Sequence, residues 1–177
     1  MSAPFVADIL RFFTAFVLLA AVWGKTRGFG AFRDNLADAF GIPAALGKFA
    51  APSVVAAELL LAVAILGPFP AAGMAGALVL FVGFTALLSY KFVRDGAFRC
   101  TCFGETERNL SGLDLLRNLL VAAAIGAWCA LAGGPGLLPD AASPIASHVA
   151  LLAAGLALIL AVLAVEFHDV VNLLRMH

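Results

Sequence analysis

Charge is scarce in this sequence. Its 177 residues include 11 Lys or Arg and 11 Asp or Glu, 12% in all, and the formal net charge is zero. Without a basic excess there is no electrostatic footprint for nucleic acid, and without an acidic run there is no solvating tail. Cysteine is scarce too. Three cysteines cannot build the paired framework of a small secreted domain. What fills the chain instead is apolar: 63% of residues are hydrophobic and the mean hydropathy is +1.05. A soluble domain is about half apolar and about a quarter charged, so this is an integral membrane protein.

A helix needs about 20 mostly apolar residues to cross the hydrocarbon core. Five segments qualify, at residues 5–23, 49–66, 69–90, 113–132 and 146–165. They predict an all-α fold, a multi-pass transmembrane helical bundle of five spans forming one domain over residues 1–177, with four spans as the fallback. Residues 12–22 could pass for the apolar part of a signal peptide. Asp8 precedes them, however, and Trp23-Gly24-Lys25 is no small-residue cleavage site, so an uncleaved span is expected. Within it Asp8 and Arg11 share a face and are expected to pair or to snorkel. The closing run from Glu166 to His177 reads as a continuation of the last helix out of the bilayer.

The connections differ in kind. Gly67-Pro68-Phe69-Pro70 is a tight turn whose prolines stop one helix and open the next. Residues 31–40 set Phe32, Leu36 and Phe40 four apart with Arg33, Asp34 and Asp38 between them. That pattern predicts a short interfacial helix, ended by Gly41 and Pro43. Gly73, Gly76 and Gly83 are expected to let neighbouring helices approach closely.

The loop of residues 91–110 is the most charged stretch and holds "FRCTCFGETERN", from Phe98 to Asn109. In an extended chain Cys100 and Cys102 face the same way. A disulfide across so short a ring barely meets the required Cα spacing, and strained, accessible bridges are the labile or catalytic ones. Lys91, Arg94, Arg99 and Arg108 favour thiolate, the nucleophilic form, while Glu105 and Glu107 oppose it. Ser111-x-x-Asp114 fits a capping box opening the fourth span. Two other readings stand beside the redox one. Paired thiolates suit Cu(I), although zinc would need further ligands and no histidine lies in this loop; or the two cysteines are ordinary loop residues. Cys129, deep in the fourth span, reads as an inert buried thiol.

Ionisable residues inside spans are costly and usually paired. Glu58 lies ten residues beyond Lys48, and Arg117 six beyond Ser111. At about 1.5 Å per residue both fall at similar depth from the side carrying the cysteines. A Glu58–Arg117 pair is therefore expected beneath the cysteine loop, with Lys25 at the rim. Such a pair serves either as a polar pocket for thiol chemistry or as a buried tie that fixes helix register.

"CTCFG" at residues 100–104, the run from Ser111 to Arg117-Asn118, Gly24-Lys25, and Pro52 with Glu58 together resemble the methylamine utilisation protein MauE family. The resemblance covers residues 5–128, with Thr101 where the family usually has a small residue. It implies a four-helix DoxX-like core plus one span, in the cell inner membrane, working with a thioredoxin-like partner. It further implies support for maturation of a disulfide-rich client, such as the small subunit of methylamine dehydrogenase, in the periplasm. Cys100, Cys102, Arg117, Glu58 and Lys25 are the candidate catalytic residues. The alternative is a copper-binding membrane protein or a non-catalytic transport or assembly subunit. The sequence has no motif for a quinone, a haem or another cofactor, and neither a cofactor nor a metal site is assigned.

Sidedness brings two expectations into conflict. With five spans, Lys25, Arg27, Arg33, Lys48, Lys91, Arg94, Arg99, Arg108, Arg117 and Arg175 fall on one side, and Arg11 alone on the other. Lys and Arg accumulate in cytoplasmic loops, which predicts the cysteine loop at the cytoplasmic face. A periplasmic client asks for the opposite.

Overall fold

The computed structural model describes residues 3–41, 43–95, 112–131 and 147–167, and all regular structure among them is helical. Six helices follow in order: α1 (Ala3–Arg27), α2 (Phe29–Phe40), α3 (Ala44–Leu66), α4 (Pro70–Asp95), α5 (Gly112–Leu131) and α6 (Ser147–Val165). Five of them, all but α2, are long and apolar enough to cross a membrane. The protein is thus a multi-pass membrane helical bundle. The expected spans lie inside these helices to within a residue at each end, and α1, α3 and α4 run several residues further.

α1 runs through the middle of the bundle and packs on α3, α5 and α6. Its Val17 and Leu18, with Ile65 of α3, Met74 of α4 and Ile125 of α5, form a core with at most 1% exposure. The outer faces stay apolar, as at Leu60, Val79, Leu119 and Leu151, because they meet lipid rather than water. Between apolar helices in lipid, close packing supplies the cohesion. The α3–α4 hairpin shows it. A methyl group added at Gly73 would lie 2.7 Å from the Ile65 backbone nitrogen, and one added at Gly76 would meet the Leu61 side chain. Gly83 has nothing within 4 Å of that position, so it does not serve the contact expected of it.

The hairpin turn forms where the prolines place it. Gly67 caps α3, and Pro70 opens α4 at a position where its missing N–H costs nothing. Arg11 completes the cap. Its Nε donates to the Ile65 carbonyl at 2.7 Å and its Nη2 to the Leu66 carbonyl at 3.2 Å. These are last-turn carbonyls that no helix bond satisfies, lying at the negative end of the dipole. The expected Asp8–Arg11 pair is therefore not the main use of this arginine.

α2 begins two residues earlier than expected and ends at Gly41, whose φ of 61° is the left-handed conformation suited to glycine. Phe32 and Leu36 bury against Ala51, with Val54 and Val55 packed around them. The periodic face expected to lie in the membrane interface thus covers α3. Trp23 and Tyr90, both well exposed, sit near the C-terminal ends of α1 and α4. Arg27 stacks over Trp23 at 5.1 Å and Arg94 donates to the Tyr90 hydroxyl at 3.2 Å. Aromatic and basic residues so placed mark a membrane–water boundary, and α2 follows directly at that end.

Candidate functional site

Among the described residues, five polar side chains are buried near this end of the bundle: Lys25 at 2% exposure, Glu58 at 5%, Asp114 at 7%, Arg117 at 6% and Asn118 at 3%. Three helices supply them, and helix direction explains the convergence. A helical side chain tilts toward the N-terminus of its own helix. For Lys25, at the end of α1, that direction is back into the membrane. For Glu58, on the oppositely running α3, it is outward toward the boundary. The two side chains therefore approach each other from different levels. Lys25 Nζ donates to Glu58 Oε1 at 2.7 Å and to Oε2 at 2.9 Å.

α2 closes this pair from above. The Phe32 ring lies 5.6 Å from Lys25 Nζ, presenting its electron-rich face to the cation. Gly28, between α1 and α2, lets the chain turn at once, and the Phe32 N–H donates to the Gly28 carbonyl at 2.9 Å. The lysine is consequently held inside, not at the rim where the sequence had placed it.

On α5, Arg117 Nη1 stands 3.8 Å from Asp114 Oδ1, one helical turn earlier. Asp114 also falls in the first turn of α5, where the helix dipole favours an anion. Glu58 is bonded by Lys25 and not by Arg117, which corrects the expected pairing. Depth alone had suggested Glu58 and Arg117 as partners, whereas the residue that reaches Glu58 comes from the end of α1. The Lys25–Glu58 and Arg117–Asp114 pairs sum to zero charge, which is what a low-dielectric interior tolerates.

Asp114 is the residue whose role the sequence reading missed. The sequence presents it as half of a capping box, and its i,i+3 spacing to Arg117 is the signal that points to the pair. The other half of that box, Ser111, lies outside the described residues, as do Cys100 and Cys102. Those two cysteines belong to the stretch joining α4 to α5, and α5 begins two residues before Asp114. Cys129 is half-buried and packs against the central core, far along α5 from Arg117. Among the described residues no group of three or more His, Cys, Asp or Glu is placed to hold a metal ion.

No curated protein and no solved structure matches the chain. One family signature does, and it runs from residue 3 to residue 132, taking in α1 to α5 with the buried charges and the C-x-C stretch while leaving α6 outside. On that match the chain belongs to the family described as methylamine utilisation protein MauE.

Proposed function

We propose that this protein carries out thiol–disulfide exchange through Cys100 and Cys102 in the cell inner membrane, with a thioredoxin-like partner and a disulfide-rich client. The observation that carries the reading is the buried, charge-balanced cluster of Lys25, Glu58, Asp114 and Arg117 at the start of α5. It lies at the end of the bundle from which the C-x-C stretch leaves α4 and enters α5. Membership of the MauE family supports the same class of chemistry.

The step begins with the thiolate of one cysteine attacking a partner's disulfide. One partner sulfur leaves as thiolate, and a mixed disulfide forms. The second cysteine then attacks that bond, closing Cys100–Cys102 and releasing the partner's other thiol. The partner gains two electrons and the pair loses them. In this reading the flanking Lys91, Arg94, Arg99 and Arg108 favour the ionised thiol. The buried Lys25–Glu58 pair ties α1 to α3, and the Arg117–Asp114 pair sits on α5, where the C-x-C stretch joins the bundle.

Differential alkylation with mass spectrometry, under oxidising and reducing conditions, tests the proposal. Cys100 and Cys102 are expected to change state together while Cys129 stays reduced. Two loop thiols that remain free under mild oxidation, with copper co-purifying, would replace this reading with a copper-binding one.

A further inference from the structure

A cavity of about 280 Å³ opens between α1, α5 and α6, separate from the Lys25–Glu58 pair but sharing Arg117 with the charged cluster. Phe13, Ala124, Leu160, Leu163 and Phe167 help to line it, and Arg117 is the one polar side chain among the described lining residues. From Arg117 to Ala124 the groove follows α5 for about 10 Å at the helical rise of about 1.5 Å per residue. It therefore has a cationic, hydrogen-bonding end and an apolar depth. Leu160 and Leu163 are 43% and 46% exposed, so the α6 wall stands open toward lipid, whereas Arg117 is 6% exposed. A molecule reaching that guanidinium enters from the hydrocarbon.

The geometry points to this groove as a binding site for a membrane-soluble quinone, with Arg117 donating a hydrogen bond to a ring carbonyl. Charge decides against an anionic lipid. Among the described residues the cluster around Arg117 pairs two cations with two anions, so a carboxylate or phosphate head would add a further buried charge to it. A neutral ring with carbonyl acceptors adds none and still answers the guanidinium. The aromatic rings of Phe13 and Phe167 and the aliphatic wall suit a flat head with an apolar tail. Since α6 lies beyond the family match at residue 132, the groove is not contained in the family-matched segment alone.

This inference rests on the proposed thiol chemistry for its purpose. The Cys100–Cys102 dithiol loses two electrons and two protons as its S–S bond forms. The quinone takes both electrons and both protons on its two oxygens and becomes the quinol. Thiol–disulfide exchange is reversible, and when a partner dithiol reduces the Cys100–Cys102 disulfide, a lipid-side acceptor bordering the charged cluster would return the pair to the oxidised state.

The test uses the full chain in phosphatidylcholine nanodiscs, with ubiquinone-1 as ligand and an azido-ubiquinone as photolabel. Saturable binding is expected, with adducts mapping to the α5 and α6 segments that line the groove and displaced by ubiquinone-1 but not by equal oleic acid. Arg117→Met is expected to weaken binding at least about tenfold, the scale of a lost hydrogen bond to a charged group. Ala124→Phe fills the groove away from the charged cluster and is expected to abolish binding in a protein of unchanged elution profile. If Arg117→Met does not fold, Ala124→Phe carries the test alone. Absent saturation, displacement by oleic acid, or full binding to Ala124→Phe overturns the quinone site. Thiol counting on the same samples separates the two ideas. Cysteines that cycle without quinone binding sink only this inference, and quinone binding beside inert cysteines sinks only the exchange reading.

Discussion

Lys25 and Glu58, 33 residues apart in sequence, form a buried two-pronged ion pair with contacts of 2.7 and 2.9 Å. The pair ties the last turn of α1 to the middle of α3, beneath the Phe32 ring of α2. Removing one member leaves the other charged and uncompensated, which typically costs about 3–5 kcal/mol. Lys25→Met and Glu58→Gln are each expected to lower thermal stability in detergent, and the double variant to cost clearly less than their sum. Glu58→Gln with Arg117→Gln should lie nearer additivity, because those two side chains do not bond. A stronger coupling for Glu58 with Arg117 than with Lys25 would mean that the pairing described is wrong.

The number of spans, the hairpin at residues 67–70 and the amphipathic α2 were legible in sequence because each follows from local pattern. Apolar length, proline and glycine placement and four-residue spacing require no knowledge of neighbours. Partner choice is different. Glu58 and Arg117 stood at matched depth along their helices, but depth is one coordinate and a contact needs rotation and tilt as well. Lys25 was set at the rim because it ends a span, yet its side chain runs back along α1 into the bundle. Arg11 shows the same limit. Its nearest sequence partner was Asp8, while the groups it bonds are α3 carbonyls 54 and 55 residues away. The cysteine chemistry was read from residue type and flanking charge, and Cys100 and Cys102 stand outside the described residues.

Close packing at Gly73 gives a second expectation. An added methyl would stand 2.7 Å from the Ile65 backbone nitrogen and 3.1 Å from the Ala64 carbonyl carbon, and backbone cannot swing aside as a side-chain tip does. Gly73→Ala should push α3 and α4 apart and cost about 1–3 kcal/mol. Gly83→Ala, with open space around it, should be neutral or slightly stabilising, since alanine is the better helix former. Thermal unfolding of the two variants side by side checks this. Equal losses would show that the hairpin is not held by that contact.

Sidedness is the sharpest remaining expectation, because the buried cluster changes how the basic residues are weighed. Lys25 and Arg117 are occupied inside the bundle by Glu58 and Asp114, so they count toward the site and not toward the loops. Arg27, Arg33, Lys48, Lys91, Arg94, Arg99, Arg108 and Arg175 still fall on the C-x-C side, against Arg11 at the other end, where it caps α3. A bias of that size in short loops predicts that the C-x-C side faces the cytoplasm. Exchange with a periplasmic client then requires electrons to cross the membrane, through this protein or a partner. An impermeant maleimide applied to intact spheroplasts of a Cys129→Ser strain should leave Cys100 and Cys102 unlabelled, and permeabilisation should expose them. Labelling before permeabilisation would reverse the topology and put the thiol pair directly on the client's side.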